Sequence, residues 1–157
     1  MSLLGLNLLL AIAWMAVNGT FNLMALLVGF LLGHIALWIA RPLYPEQRYF
    51  QKLRGGLGFF LWFLKELWIS SLRVAHDIVT PTAYARPGVI AVPLDAKTDL
   101  EITLLACLVS LTPGTLSLDV SPDRSQLFIH AMFVDDPDAV RAEIKDGMER
   151  RLLELLR

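Results

Sequence analysis

The sequence predicts an α+β membrane protein: an N-terminal transmembrane helical hairpin, a third membrane helix of amphipathic character, and a small β-α-β-β-α domain. Three observations predict it. With 55% hydrophobic residues and a mean hydropathy of +0.55, the 157-residue chain carries more apolar surface than one small core can hide. Two uncharged apolar stretches open the chain, Leu3 to Val17 and Phe21 to Ala40. Beyond Pro81 the pattern changes to short alternating runs, helix caps and turn residues, as in a soluble domain.

The two opening stretches are separated by Asn18-Gly19-Thr20, where Gly and Asn tolerate the positive φ of a tight reversal. They therefore read as a hairpin of helices over about 3–17 and 21–40. A bilayer span takes roughly 20 apolar residues, so the shorter first helix must tilt little, thin the bilayer or lie against neighbours. No basic region precedes the apolar run, and Ala11-Ile-Ala13 falls too early for signal cleavage, so the segment is expected to be retained. The connection from Arg41 to Arg54 holds four Lys/Arg against Glu46 alone, which places it, and with it the N-terminus, on the cytoplasmic side.

A third helix is expected over 57–79, entered through a flexible Gly55-Gly56-Leu57-Gly58. At 100° per residue Glu66, Ser70, Arg73 and Asp77 fall within about 60° of one another, while Leu57, Leu61, Leu64, Trp68, Ala75 and Val79 gather opposite. Each charge at the centre of a lone span costs about 2.5–3.5 kcal/mol. The helix must therefore lie at the interface or turn its stripe toward a partner. The stripe Glu66, Ser70, Arg73 and Asp77 is read either as a wetted face or as a contact with another protein of the membrane. A spanning helix exports the C-terminal domain; an interfacial one, which the loop charge favours, leaves that domain in the cytoplasm.

The domain boundary is expected at Thr80-Pro81, giving a membrane domain over 1–80 and a soluble domain over 81–157. The first has six Lys/Arg and three acids, net +3; the second has eight against twelve, net −4. That acidity disfavours a nucleic-acid role, because phosphate binding needs a concentrated basic face, and no nucleic-acid partner is expected. In the second part, Val89 to Leu94 is a short strand. Thr98-Asp-Leu-Glu101 is a capping box opening a helix that Pro113-Gly114 ends, and its apolar run is too short to span. Thr115 to Ser121 alternates, predicting Leu116, Leu118 and Val120 inward and Ser117 and Asp119 outward. Ser121-Pro122-Asp123-Arg124 is a turn, and Gln126 to Phe133 returns with Leu127, Ile129, Ala131 and Phe133 inward. Asp136 caps a last helix with Val140, Ile144, Met148, Leu152 and Leu155 on its apolar side. By the crossover rule the third strand lies between the first two, which makes the unit ferredoxin-like without its last strand and leaves the first strand an open edge blunted by Pro93.

The chemistry-bearing residues have plain roles. His34, an ionisable residue at membrane depth, is either a proton-path group or a neutral imidazole bonded to a neighbouring helix. His76 beside Asp77 reads as a solvated pair, and His130 as an outer-face strand residue. Cys107, the single cysteine, reads as a packed thiol. Asp135, Asp136 and Asp138 read as helix capping ahead of a cation site. No His/Cys spacing suits a metal, no glycine loop suits a phosphate, and no nucleophile, base and oxyanion donor assemble, so catalytic, metal and cofactor sites are not expected.

Pro87-Gly-Val-Ile-Ala-Val-Pro-Leu94, Thr98-Asp-Leu-Glu101, Leu104-Leu-Ala106, Ser110-Leu-Thr-Pro-Gly-Thr-Leu-Ser-Leu-Asp119 and Ile129-His-Ala131 together resemble the signature of the E subunit of the multisubunit Na+/H+ antiporters of Mrp or Mnh type. Leu111, Thr112, Pro113, Gly114 and Thr115 carry the most specific part, and Lys65-Glu66-Leu67 extends the resemblance into the third helix. The resemblance implies a multi-pass subunit in the bacterial cell membrane, with the other antiporter subunits and the lipid bilayer as partners. Dimerisation of the complex stays open. It implies a non-enzymatic part in assembly, stability or coupling, ion movement belonging to the large subunits. The alternative reading is a membrane-anchored binding or regulatory module with an independent soluble domain.

Overall fold

The computed structural model describes residues 2–43, 48–80 and 85–157. The middle of the basic connection, including Glu46, and the break at Pro81 lie outside the described residues. The chain forms two compact units, Met1–Arg54 and Gly55–Arg157.

In the first unit, α1 (Leu3–Asn18) and α2 (Leu23–Ile39) form the expected hairpin. Ser2 Oγ accepts from the Gly5 amide to start α1. Gly19, at φ +64°, ends it, with its own amide and that of Thr20 donating to Ala16 and Met15 carbonyls. Asn22 Oδ1 accepts from the Ala25 amide and opens α2. The helices meet where side chains are small. A Cβ on Gly29 would lie 2.9 Å from the Ala11 carbonyl oxygen and 3.0 Å from its Cα, so the backbones touch there. At 16 and 17 residues these helices measure roughly 24–26 Å, against about 30 Å of hydrocarbon. Among the described residues no helix is long and apolar enough to cross a membrane. A short 3-10 turn, Arg41–Leu43, follows α2.

The third helix, α3 (Arg48–Val79), begins well before the expected position 57. Gly55, Gly56 and Gly58 are therefore inside it and do not form a flexible entry. The helix runs on against the C-terminal helix there: Cβ atoms on Gly55 and Gly56 would stand 3.7 and 3.9 Å from Leu155 Cδ1, in ordinary van der Waals contact. In the second unit, Phe59 and Trp62 of α3 pack on the core, whereas Leu57, Leu61 and Trp68 are exposed.

The sheet has the expected order, with β1 (Gly88–Pro93) and β2 (Thr115–Val120) flanking β3 (Gln126–Ala131), both pairs antiparallel. Ile90, Val92, Leu127, Ile129 and Ala131 turn one face toward Leu105 and Val109 of α4 (Asp99–Leu111) and toward Ile144, Met148 and Leu152. At the edge strand β1, Arg141 Nε donates to the Ala91 carbonyl at 3.0 Å, so a side chain as well as Pro93 occupies that edge.

Three expectations are corrected. Leu116 and Leu118 are about half exposed, and Ser117 faces inward: its Oγ donates to the Ala106 carbonyl at 3.0 Å, and its amide donates to Ser110 Oγ at 3.1 Å. A bulge between Ser117 and Asp119 then shifts the alternation by one residue and returns Val120 to the core. Cys107 is exposed, because the buried stripe of α4 runs through Ile102, Leu105 and Val109. The last helix is not uniform. It passes from α5 (Pro137–Ala142) through a π-helical segment, Glu143–Glu149, into α6 (Arg150–Leu156). The wider turn buries Leu153 beside Leu152 and sends Glu149 inward.

Thr98 Oγ1 accepts from the Glu101 amide, and Glu101 Oε2 accepts from the Lys97 and Thr98 amides. Arg157 Nε donates to Glu101 Oε1 at 3.1 Å. The Arg157 hydrogen bond foremost, with those two amides, lowers the Glu101 carboxyl from 4.5 to about 2. A carboxyl depressed on folding stabilises above its unfolded value and loses that contribution as pH falls through the folded one. Acid titration monitored by tryptophan fluorescence should show stability falling between pH 4.5 and about 2, and Glu101→Gln should flatten that slope.

Candidate functional site

The stripe read from the sequence is one face of α3, and the structure sets it against the C-terminal helices of the same unit. Ser70 is buried, Glu66 and Asp77 are half-buried, and Arg73 is exposed at a rim. Glu66 lines a 270 Å³ cavity with Trp62, Glu143, Asp146, Gly147 and Arg151. The Arg151 guanidinium lies 4.8 Å from the Trp62 ring centroid, a cation–π contact. Arg73 and Asp77 line a second cavity, of 430 Å³, with His76, Phe133, Asp135, Asp136 and Glu143. Asp77 Oδ1 also accepts from the Ala85 amide at 3.1 Å, which holds the chain where it leaves the helix. The polar side of α3 thus meets protein, and its apolar side is left uncovered.

The Leu111–Thr115 turn joins α4 to β2. Thr112 Oγ1 donates to the Leu108 carbonyl at 2.9 Å, and Thr115 Oγ1 donates to Val109 and Thr112 carbonyls at 2.7 and 3.0 Å. These hydroxyls satisfy carbonyls that the helix end leaves open. Pro113 cannot continue the helix. Gly114 has φ +89°, and a Cβ there would stand 3.4 Å from Val74 Cγ2 of α3 and 3.7 Å from Phe133. The motif therefore ends a helix, begins a strand and provides a flat seat for α3. Leu111 is exposed.

His34 lies elsewhere, in the hairpin unit. Its Nδ1 is 3.2 Å from Tyr49 Oη, and Asn7 Nδ2 donates to the same oxygen at 2.7 Å. The His34 ring packs against Tyr49 and Phe50, with centroids 5.6 and 5.3 Å away. Asn7 is fully buried. Sequence reasoning passed over Asn7, although it is the one polar side chain between Leu3 and Val17. It also missed Glu149, which is 1% exposed and whose Oε1 accepts from the Asp95 and Ala96 amides at 2.6 and 2.9 Å. Lys145 Nζ lies 2.7 Å from Glu149 Oε2 and 2.6 Å from Asp95 Oδ2. Burial opposes its charge, but hydrogen bonds to Asp95 and Glu149 outweigh this and raise the Lys145 ammonium above its ordinary value.

The aspartates before α5 are engaged locally. Asp135 pairs with Arg86 at 3.2 Å, Asp136 Oδ1 accepts from the Asp138 amide at 2.9 Å, and Asp138 pairs with Arg141. Among the described residues no group of three or more His, Cys, Asp or Glu could hold a metal ion. His130 stands between Val89 and Leu116 across the sheet.

The chain matches, over residues 7–155, a family model described as Na+/H+ ion antiporter subunit. It is 34% identical over 152 residues to the E subunit of the Na+/H+ antiporter of Bacillus subtilis strain 168, covering 97% of this chain and 96% of that protein. The corresponding E subunit of Alkalihalophilus pseudofirmus OF4 is also 34% identical, over 96% of this chain and 95% of the relative. Among solved structures, a chain of the Mrp complex from Dietzia sp. DQ12-45-1b aligns with a TM-score of 0.51 at 32% identity, over 64% of this chain and 94% of that one. A chain of the membrane-bound sulfane sulfur reductase, an archaeal respiratory membrane complex, shares the fold over 98% of both chains with a TM-score of 0.61 at 22% identity. With signature residues from Pro87 to Ala131 inside a match that covers nearly the whole chain, this protein belongs to the family of Na+/H+ antiporter E subunits.

Proposed function

We propose that this chain is a non-catalytic, integral-membrane subunit of a multisubunit Na+/H+ antiporter, acting in assembly, stability or coupling. The observation that carries the reading is the distribution of surface. Leu9, Leu31, Ile35 and Trp38 on the hairpin and Leu57, Leu61 and Trp68 on α3 are each more than half exposed, a pattern that water disfavours and lipid or neighbouring subunits accept. Residues 1–80 are the membrane domain and 81–157 the soluble domain in this reading. The short hairpin enters the bilayer by local thinning or against longer neighbouring helices. The third helix lies at the interface, its polar stripe on its own soluble domain and its apolar side on lipid, with that domain in the cytoplasm beside the basic connection.

Affinity purification from native membranes through a tag on this chain tests the function. The other antiporter subunits should accompany it, and its deletion should abolish both sodium tolerance and complex assembly. Recovery of this chain alone, with antiport intact in its absence, would overturn the proposal. The stripe carries a separate expectation. Glu66→Ala with Arg73→Ala should loosen α3 from its seat and reduce recovered complex by about fivefold, the effect of roughly 1 kcal/mol. Unchanged assembly and antiport would remove the stripe from any contact role.

A further inference from the structure

Around α3 the surface changes character in a fixed order. At 100° per residue Leu57, Leu61, Leu64, Trp68 and Leu72 occupy an arc of about 80°, and all five are exposed. Arg54 and Lys65 are exposed too, and they lie on one flank of that arc, about 40° and 60° from its middle. They stand eleven residues apart, close to three helical turns, and so form a row roughly 16 Å long. The opposite flank holds Phe60 and Ile78, exposed and uncharged. Glu66 and Asp77, the acids of this helix, sit on the far side, half-buried in cavities lined by their own unit. The uncovered side of α3 therefore carries positive charge and no negative charge.

Each step in that order suits the edge of a bilayer. The apolar arc is unfavourable in water and costs nothing in hydrocarbon. Lys65 has Leu61, Trp68 and Ile69 one turn away, all exposed. Lysine and arginine can lay their methylenes along such a surface while the charged end reaches the headgroup layer, where tryptophan is also favoured. The sign of the charge selects the lipid. Arg41, Arg48 and Lys52 against Glu46 add to the positive balance of the segment that leads into the helix. An anionic leaflet strengthens attachment about fivefold for each such cation close to it. A folded protein partner would have to match a long apolar strip and two cations three turns apart. Fluid anionic lipid matches both by rearranging.

We propose that the uncovered side of α3 docks on an anionic lipid surface, with Arg54 and Lys65 bound to lipid phosphates and Leu61 and Trp68 among the acyl chains beneath them. The inference rests on the interfacial placement of α3 in the proposed function and names the class of lipid that holds it there.

Quenching by brominated phosphatidylcholine tests it in the full-length chain. Cys107→Ala removes the single cysteine, and Leu61→Cys or Leu31→Cys then carries a fluorophore on α3 or on the hairpin. The chain is placed in vesicles of phosphatidylcholine alone or with about one third phosphatidylglycerol. The hairpin probe should be quenched in both. The α3 probe should be quenched with phosphatidylglycerol and much less without it or in high salt. Arg54→Gln with Lys65→Gln should lower its ratio of inserted to detached helix by about twentyfold, and Lys65→Arg should leave it unchanged. Equal quenching with and without phosphatidylglycerol would overturn the inference, as would a double variant that behaves like wild type. So would loss of quenching at α3 once the other antiporter subunits are bound, which would assign the face to a protein contact. If the tagged chain brings down none of those subunits, the proposed function fails instead, whatever the lipid dependence of α3.

Discussion

Gly29→Ala should force the hairpin apart and lower its stability by about 1–3 kcal/mol, a loss that no side-chain truncation relieves. The added methyl would meet the Ala11 carbonyl oxygen at 2.9 Å, the Ala11 Cα at 3.0 Å and Trp14 Cβ at 3.0 Å. Two of these are backbone atoms, so only movement of a whole helix makes room. Gly33→Ala differs in kind. Its methyl would collide with Asn7 Oδ1 at 2.2 Å, the end of a side chain, and approach Leu10 Cβ at 3.2 Å. Asn7 can swing away only by leaving Tyr49. Removing that side chain with Asn7→Ala should therefore restore most of what Gly33→Ala loses, a non-additive pair, while Asn7→Ala leaves Gly29→Ala unrescued. Thermal aggregation of the full chain in detergent, compared across single and double variants, checks both statements. Equal rescue at both glycines would show that the close approach is not at the backbone.

The second large effect is expected at Glu149. Its carboxylate takes the Asp95 and Ala96 amides where the chain leaves β1, and it faces Lys145 from a site only 1% exposed. Glu149→Leu keeps the bulk but strands two amides and leaves Lys145 with Asp95 alone, at a cost of about 3–5 kcal/mol, enough to lower the unfolding midpoint by about 6–20 °C. Glu149→Gln retains one acceptor oxygen and should lose less than half as much. The two variants falling together would mean that shape, not the accepted hydrogen bonds, sets the cost. Lys145 gains charge stability from the same contacts, so its contribution is complete below the ordinary lysine value and fades as pH rises through the elevated one.

Much of this was legible because it is local. A capping box at Thr98 and Glu101, an Asp136 cap followed by Pro137, and a reversal at Gly19 are each written in three or four consecutive residues, and each forms as written. Strand order followed from connection length and handedness, which need only the succession of elements. The errors came where alternation was read without its partner. Leu116 and Leu118 look like a buried face until α4 presents Ser110 Oγ and the Ala106 carbonyl to Ser117, two polar groups that the strand satisfies by turning its hydroxyl side inward. Likewise, three glycines near position 55 suggest a loop, yet they are helical, and two of them, Gly55 and Gly56, lie against Leu155, a hundred residues later.

The candidate site divides in the same way. Periodicity alone placed Glu66, Ser70, Arg73 and Asp77 on one face of a helix, and an isolated polar residue in an apolar run marked His34. What periodicity cannot say is which surface meets that face, because several partners could satisfy the same stripe. In the fold, residues of the C-terminal helices line cavities together with that face of α3, and His34 pairs with Tyr49 across fifteen residues and Tyr49 with Asn7 across forty-two. By itself the sequence determined the order of the elements and the caps of α1, α4 and α5, since these depend on neighbours along the chain. Only the tertiary structure decided that Glu149 is buried, that Ser117 faces in and that Asn7 points its oxygen at Gly33. Such contacts depend on residues far apart in sequence, whose match is selected by space and hydrogen-bond satisfaction and leaves no repeating pattern to read.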